Sequence, residues 1–517
     1  MNRTASRAAF RDADGAYAWL AAQPRGDASV MLSGLTAQIE ALNLQDLSPR
    51  GRFKILEVLR KEVFVAGAAC RRQCEGRPLP LDADEQASLD AALRLWRAHA
   101  VGYQHCLQAC LDGDESMSRY VARVAHRVSS CLRMEQLTGY AGGAAPRPGF
   151  WESFHTLFLA AEELGCVMEM VEDRLPGETR ASSVSGQYAT ALMLHLAQPF
   201  SLSSGQLAVV VRWLARWREH TRIDGQATTT DARYSPIPLD LAADRPIHEK
   251  DGQAHLPRWL SLGNVQRKIR QRLDALAAGE SPENLNLGSC LSAKNCQSLL
   301  ERLSSNLRHP LPVLPAATDG MPTLSVCAGL AGIHRLLSGK RLEEMLPADS
   351  STDDPPAGRE ARPPGDLGQE RWRLAHWESN EQVLLRAPGN GASRLTLHGL
   401  LAVGRQENYL LAVINALWQN GDGTLFCAVN PLPGGVTPRV AEIRNWMTGE
   451  VAYHPAFQLS SEEDRARDRL LLPAGLLVRA SGVRFFDCGG ELLFGLRVAD
   501  CLERGDEVEF WQVASND

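Results

Sequence analysis

Two pairs of cysteines could carry metal or redox chemistry. Cys70 and Cys74, and likewise Cys106 and Cys110, stand four residues apart in segments of helical periodicity, so each pair places two thiols on one helix face. Four such thiols could hold zinc or form two disulfides. The first pair ends one helix, whereas Cys106 lies about 33 Å along the next helix at 1.5 Å per residue. In a helical hairpin the pairs cannot meet, so we expect buried thiols and no metal.

The segment GIHRLLSGKR has glycines and a lysine in an order similar to a phosphate-binding loop. Gly332 and Gly339-Lys340 are two residues too far apart for that loop, and Arg341 stands where Ser or Thr would bind magnesium. We therefore expect LLSGKR to be a helical segment or the turn at a helix end. Gly329 and Gly332 are expected to be packing glycines near the helix start.

A third group combines arginines with a serine in a polar turn. The stretch HWESNEQVLLR, residues 376–386, places Ser379 directly before an apolar run. Four arginines precede this serine: Arg359, Arg362, Arg371 and Arg373. Arginine pairs can clamp phosphates and stack on bases. The stretch could therefore hold a nucleotide, or it could be only the first corner of a barrel.

Nothing else in the sequence indicates catalysis. The 13 histidines are scattered, and neither an H-E-x-x-H nor a G-x-S-x-G motif occurs. We expect a protein that is not an enzyme, with an unrecognised hydrolase as a third hypothesis only.

The elements that position these residues begin with a long helical region, residues 1–224. Ser48 is a plausible N-cap with Pro49 at the first helical position. A helix of about 29 residues follows GRPLPL, with acidic residues in its first turn. A later helical segment breaks at Pro199, and Ser203 or Ser204 caps the helix that follows.

Three further regions follow the helices. Residues 225–346 are predicted to form a mixed, mainly helical subdomain, with a short strand at 237–241 and a strand, glycine turn and helix in MPTLSVCAGLAGIHRLLSG. Residues 347–370 are rich in Pro, Gly, Asp and Ser, which predicts a disordered linker. Residues 371–517 contain short β-rich runs. Asn420-Gly421 is predicted to supply the positive φ angles of a tight hairpin.

Length and composition limit the class of protein. The chain has 517 residues, 44% hydrophobic residues and a net charge of −6, which disfavours general nucleic-acid binding. No apolar run reaches the 18 or so residues needed to span a bilayer, and the N-terminus has no secretory apolar region. The twelve cysteines then indicate a reducing compartment. We expect a cytoplasmic protein without membrane insertion.

The C-terminal region resembles a PilZ domain, the small barrel of bacterial cyclic-di-GMP receptors. The order of runs carries this resemblance: a polar turn with serine, a strand, LHGLLAV, LLAVINALW and TLFCAVNPL. The whole chain is similar to large cytoplasmic proteobacterial proteins with a helical region before such a domain. The implied fold is multidomain α+β, an N-terminal all-helical scaffold followed by a small PilZ-like β-barrel with a β extension.

The resemblance also implies a ligand site. PilZ receptors use R-x-x-x-R in the lead-in and [D/N]-x-S-x-x-G on the barrel. Here Ser379 matches, but Trp377 replaces the acid, Gln382 replaces the glycine, and Arg359 and Arg362 are one residue too close. A second frame, residues 394–399, keeps the glycine but begins with arginine.

The resemblance implies a non-enzymatic regulatory or adaptor protein of cyclic-di-GMP signalling that acts through an unknown protein partner. The altered motifs predict weak or lost binding of the nucleotide, with a dissociation constant weaker than about 10 μM. The ligand residues that the resemblance implies are Arg359, Arg362, Arg371, Arg373 and Ser379. No other cofactor and no nucleic acid is expected. The alternative is a helical adaptor or chaperone-like scaffold without a nucleotide ligand.

Overall fold

A computed structural model describes most of the chain. The described residues are 7–24, 26–173, 175, 181–227, 233–248, 253–308, 320–346, 368–378, 381–389, 391, 393–405, 408–460, 468–494, 496–504 and 507–513. The chain divides into two units: a helical unit, residues 1–77 with 81–313, and a barrel unit, residues 78–80 with 314–517. The predicted fold class, helices followed by a β-barrel and further β structure, is confirmed. No helix in the described ranges is long and apolar enough to cross a membrane.

The helices of the helical unit begin where the sequence supplies caps. Their bounds are α1 (Ala13–Ala21), α2 (Ala28–Asn43), α3 (Pro49–Cys74), α4 (Ala83–Leu111), α5 (Val121–Ala141), α6 (Phe150–Glu163), α7 (Val184–Leu196), α8 (Ser204–Trp217), α9 (Gly263–Ala277) and α10 (Ala293–Asn306). Ser48 caps α3 by accepting from the backbone N–H of Gly51. Ser203 forms a capping box with Gln206 at α8, and α4 spans 29 residues. All three predictions are confirmed.

Helix α5 is the buried centre of this unit. It packs against α4, α6 and α7, and every residue from Val124 to Ala141 is buried. A helix that is buried on all sides must find partners for its polar side chains inside the protein. The polar network described below follows from this position.

A close approach of α3 and α4 gives a test of the helical core. A Cβ atom at Gly67 would lie 2.6 Å from Cζ2 of the fully buried Trp96. Gly67→Ala is therefore expected to lower the free energy of unfolding by about 1–3 kcal/mol. Gly205→Ala in α8 is the control, because nothing lies within 4 Å of its added Cβ; it should raise stability by about 0.4–1 kcal/mol. Urea denaturation followed by circular dichroism at 222 nm measures both, and equal values would contradict this packing.

Short strands complete the helical unit. They are β1 (Val171–Glu172), β2 (Ala181–Ser182), β3 (Arg222–Asp224), β4 (Ile237–Asp240) and β5 (Pro257–Ser261). The strand predicted at 237–241 is β4, which pairs with β5 in the sheet order β3-β5-β4. Asp244, just beyond β4, accepts hydrogen bonds from the backbone N–H groups of Gly149, Trp151 and Glu152 at the start of α6. The small sheet is thereby tied to the helices.

In the barrel unit, six described strands close into a barrel in the order β10-β11-β8-β7-β6-β9. Their bounds are β6 (Thr323–Ala328), β7 (Gln369–Glu378), β8 (Glu381–Arg386), β9 (Leu400–Arg405), β10 (Asn408–Gln419) and β11 (Leu425–Pro431). Strand β6 lies between β7 and β9. The predicted ranges 225–346 and 371–517 therefore divide the barrel between them. Most of the predicted linker, residues 347–367, lies outside the described residues, and positions 369 and 370 belong to β7.

A second sheet follows in the order β15-β12-β13-β14-β17-β16. Its strands are β12 (Gly435–Asn445), β13 (Val451–Ser460), β14 (Arg469–Pro473), β15 (Ala480–Phe486), β16 (Val498–Arg504) and β17 (Val508–Val513). Cys327 and Ala402 of the barrel pack with Phe457 and Leu471 of this sheet. These side chains therefore point outward from the barrel, and the alternate residues of each strand point inward.

Two turn predictions have different outcomes. Helix α11 (Leu330–Ser338) ends at Gly339, which has a φ of 70°. The segment LLSGKR is therefore the turn at a helix end, which was one of the two alternatives predicted for it. The predicted hairpin is present between β10 and β11, but its positive φ does not lie at Asn420-Gly421. Positive φ occurs instead at Gly423, with 85°, because the loop closes through a bond from Asn420 N to Thr424 O over a longer span than a two-residue turn.

Candidate functional site

Two arginines stand on the outer face of β7. Arg371 and Arg373 are exposed and alternate with Trp372, which is buried. Alternate residues of a strand share one face and lie about 7 Å apart. Among the described residues, neither guanidinium has a hydrogen-bond or ion-pair partner. The donors of both side chains are therefore available to an anion.

Polar groups lie beside Arg371 on the neighbouring strands. Ser325 of β6 pairs with Arg371 on one side and with Gly404 of β9 on the other. The hydroxyl of Tyr409 donates to Ser325 Oγ at 3.4 Å and accepts from Gln369 Nε2 at 3.2 Å. Gly404 makes room for this ring, since a Cβ there would lie 2.7 Å from Tyr409 Cδ1. A hydroxyl pair and an amide thus flank one arginine.

An aromatic pair lies in register with the other arginine. Arg373 pairs with Leu385 of β8, Leu385 with Phe426 of β11, and Phe426 with Trp418 of β10. The Trp418 and Phe426 rings are stacked, with centroids 5.2 Å apart and planes at 13°. Guanidinium groups recognise phosphates, and aromatic rings provide stacking partners for bases. Phe426 is buried and lies two strands from Arg373, so the outer face of β7 and its neighbours, which we call the β7 face, suits an anionic ligand through its arginines.

The inward face of the barrel explains two residues of HWESNEQVLLR. Arg386 is buried, donates to Glu370 Oε2 at 3.3 Å and to Ser393 O at 2.7 Å, and lies 5.6 Å from the Trp372 ring centroid. Gln382 is also buried on this inward face. The side chain of Gln382, which stands where the PilZ motif has glycine, points away from the β7 face.

The predicted site residues have different outcomes. Arg371 and Arg373 lie together on the β7 face, whereas Arg359, Arg362 and Ser379 lie outside the described residues. Sequence reasoning missed three further residues of this face, Ser325, Gln369 and Tyr409. No local motif could have indicated them, because strand register over tens of residues brings them together.

The second sequence frame, residues 394–399, makes contacts inside the barrel unit. Arg394 donates to the backbone oxygen of Pro78, which belongs to this unit. The carboxylate of Glu507 accepts from Leu400 N at 3.2 Å. A Cβ at Gly399 would lie 2.5 Å from the same carboxylate. The glycine therefore makes room for an internal hydrogen bond.

The helical unit contains a buried charged network. Arg60 donates to both carboxylate oxygens of Asp173, at 2.8 and 2.5 Å. Arg127 donates to Glu57 at 2.9 Å, and the hydroxyl of Tyr103 donates to the same carboxylate at 2.7 Å. These charges neutralise one another in pairs, so the network joins α3, α4 and α5 to Asp173, the residue after β1.

A buried cysteine–histidine pair lies beside this network. Cys131 Sγ is 3.7 Å from His99 Nδ1. Burial raises the pKa of the Cys131 thiol to about 12 and lowers the pKa of His99 to about 3. Both shifts oppose the thiolate and imidazolium forms that nucleophilic catalysis requires. Cys131 and His99 therefore serve as packed core residues.

The four helical cysteines are separated as the sequence indicated. Cys106 Sγ lies 3.6 Å from Pro49 O at the start of α3, whereas Cys74 is the last residue of that helix. Burial raises the pKa of Cys106 to about 12 and that of Cys74 to about 11. In the described part of the chain, no group of three or more His, Cys, Asp or Glu residues could hold a metal ion.

Comparison with known proteins supports the signalling class. Residues 14–228 match the family model described as "Cyclic-di-GMP receptor FimW, N-terminal domain". Over 345 residues the chain is 22% identical to the cyclic-di-GMP receptor FimW of Pseudomonas aeruginosa, an alignment that covers 65% of this chain and 55% of that receptor. The chain thus spans little more than half the length of this relative. No solved structure matches the chain. The helical N-terminal part of this protein is therefore similar to the N-terminal domain of a cyclic-di-GMP receptor.

Proposed function

We propose that this protein is a non-enzymatic regulator of cyclic-di-GMP signalling, of the PilZ type, that acts through protein contacts in the cytoplasm. The similarity to a cyclic-di-GMP receptor supports the signalling class. The observation that carries the choice of site is the pair Arg371 and Arg373, exposed on one face of a strand without a counter-charge among the described residues. Cyclic-di-GMP has two phosphates, which match the two guanidinium groups.

The proposed binding is weak. Arg371 and Arg373 each present a planar fork of donors to one phosphate. Trp377 replaces the acid of the PilZ motif, and an indole has one donor and no acceptor for the N–H groups of guanine. The motif at residues 377–382 therefore lacks the acid that would accept from guanine. We expect a dissociation constant of about 10–100 μM, or about −5.5 to −7 kcal/mol.

Calorimetric titration of the full chain with cyclic-di-GMP tests the proposal. Arg371→Ala and Arg373→Ala should each weaken binding about tenfold or more, since a hydrogen bond to a charged group contributes about 1.5–3 kcal/mol. Arg469→Ala, which removes an exposed arginine of β14 in the same unit, is the matched control and should bind as the parent protein does. Binding should also weaken as salt rises.

Three results would contradict the proposal in whole or in part. Absence of binding at millimolar nucleotide would favour the alternative, a helical adaptor or chaperone-like scaffold with no nucleotide ligand. Binding that both arginine variants retain would place the site elsewhere. Sub-micromolar binding abolished by either variant would keep the site and overturn the weak affinity.

A further inference from the structure

Five basic side chains gather on one surface of the helical unit. Arg212, Arg216 and His220 follow one another at intervals of four residues along α8 and the turn after it, and all three are exposed. Lys268 and Arg272 stand four residues apart on α9 and are half-buried. Residues four apart on a helix share a face. We call these five residues the basic cluster.

The guanidinium of Arg272 lies 5.4 Å from the ring centroid of Trp217, the last residue of α8, so the two rows adjoin. Burial lowers the pKa of Arg272, and the charge of Arg216 lowers it further. Burial also lowers the pKa of His220, and the charges of Lys268 and Arg272 add to that decrease, while Glu219 acts in the opposite direction. The side chains thus repel one another across the two elements.

Acidic residues do not balance this cluster. Within the described ranges, none of its five side chains forms an ion pair with a carboxylate. Glu219 is the neighbour of His220 in the chain, but its carboxylate accepts from Ser183 N and Oγ. Asp274 lies four residues after Arg270 and so shares the Arg270 face of α9, not that of Lys268 and Arg272.

The bonds that cluster members do make go to uncharged groups. Arg212 donates to Cys290 Sγ, Arg216 to Asn286 O, and Arg272 to Lys268 O. Each guanidinium keeps further donors after these bonds. Like charges four residues apart destabilise a helix, and the chain as a whole has a net charge of −6. Repulsion among these basic side chains lowers the stability of the folded protein, and binding of an anionic partner would reduce that repulsion.

We propose that the basic cluster is the docking surface for an acidic segment of a partner protein. A row of three basic residues about 12 Å long beside a row of two about 6 Å long matches several carboxylates spread along a chain. Small-molecule sites are usually concave and converge on one ligand, whereas Arg212, Arg216 and His220 project from an exposed helix surface. Complementary charge of this kind raises association rates and selects partners. The inference goes beyond the proposed function, because it places a partner on the helical unit and defines its charge.

The test uses the full chain and a fluorescein-labelled deca-glutamate peptide, with fluorescence anisotropy as the readout. The double variant Arg212→Glu/Lys268→Glu should weaken peptide binding about tenfold or more at low salt. The matched control is Arg267→Glu/Arg270→Glu, which changes charge equally on the other face of α9 and should alter affinity less than about twofold. Circular dichroism at 222 nm checks that both double variants remain folded. If Arg212→Glu/Lys268→Glu does not fold, the single variant Arg212→Glu replaces it, because this side chain is exposed.

The competing ligands give outcomes that decide the assignment. Deca-thymidylate and vesicles containing phosphatidylserine are titrated in parallel. If either binds more tightly than the peptide and loses affinity in the cluster variant, the partner is not an acidic protein segment and the proposal is overturned. Equal losses in the cluster and control variants would also overturn it. Cyclic-di-GMP titration of the cluster variant should match the parent protein, so failure of the nucleotide proposal stays distinguishable from failure of this one.

Discussion

Replacing Asp173 by alanine is expected to lower the free energy of unfolding by about 3–5 kcal/mol, because it leaves the Arg60 guanidinium buried without its partner. The two side chains are 1% and 8% exposed, and Arg127 lies 3.6 Å from the same carboxylate. Urea denaturation followed at 222 nm measures the change.

The matched control for this variant is an ion pair of similar geometry on the surface. Arg94 donates to both oxygens of Glu40 at 2.6 Å, but these side chains are 63% and 36% exposed. Glu40→Ala should therefore cost less than about 1 kcal/mol. If Asp173→Ala cost no more than Glu40→Ala, the buried pair would not stabilise the helical unit.

The same pair sets an acid limit on stability. Burial alone would raise the pKa of Asp173, but the hydrogen bonds and charge of Arg60, together with Arg127, lower it below its usual value. A carboxylate with a lowered folded-state pKa contributes stability above its unfolded pKa of about 3.9, and this contribution is lost as pH falls through the folded-state pKa. The parent protein should consequently lose stability below about pH 4 more steeply than Asp173→Ala does.

Leu384→Ala is expected to destabilise the barrel by about 2–5 kcal/mol. Leu384 is fully buried and points into the barrel, in register with Leu374 of β7 and Cys427 of β11. Leu410→Ala is the control, because this β10 side chain is 52% exposed, and it should change stability by less than about 0.5 kcal/mol. Hydrogen exchange is measured in the full chain on peptides from β8 and β11, so the protection of these amides reports the stability of the barrel alone. Unchanged protection in Leu384→Ala would count against the assigned register.

The neighbouring side chains of β8 are buried for a different reason. Val383 and Leu385 point outward and pack with Phe426 and Ala428. The sequence of three apolar residues could not reveal which one faces inward, because both faces of this strand are covered and its pattern does not alternate. Register across strands supplies that information.

Local chemistry made the helix boundaries predictable. Ser48 with Pro49, and Ser203 with Gln206, carry their capping partners within three residues, so the signal is contained in a short window. The hairpin between β10 and β11 was also predictable, but the residue with positive φ was not: Asn420-Gly421 is a strong turn signal, and Gly423 takes the positive φ. A turn with several suitable residues can close at more than one of them.

The functional features were predictable only in part. Arg371 and Arg373 could be chosen from the sequence because their residue type indicates phosphate recognition. Their neighbour Ser325 is more than 40 residues upstream and reaches them only through the pairing of β6 with β7. Arg60 and Asp173 are 113 residues apart. Such contacts result from tertiary packing, and no periodicity or local propensity encodes them.

The position of β6 determines where this protein can be divided. A fragment that starts at residue 371 would lack β6 entirely and the first two residues of β7, so β7 and β9 would each expose a row of unpaired backbone groups. Open strand edges of this kind recruit other chains and lead to aggregation or strand exchange. The barrel also cannot close during synthesis until β9, β10 and β11 have followed β6, so a strand made early must wait for partners that emerge about 40–110 residues later. A fragment expressed to contain the barrel should therefore begin upstream of Thr323. A natural domain fusion would have to retain β6, before residues 347–367, together with β7 to β11, after them.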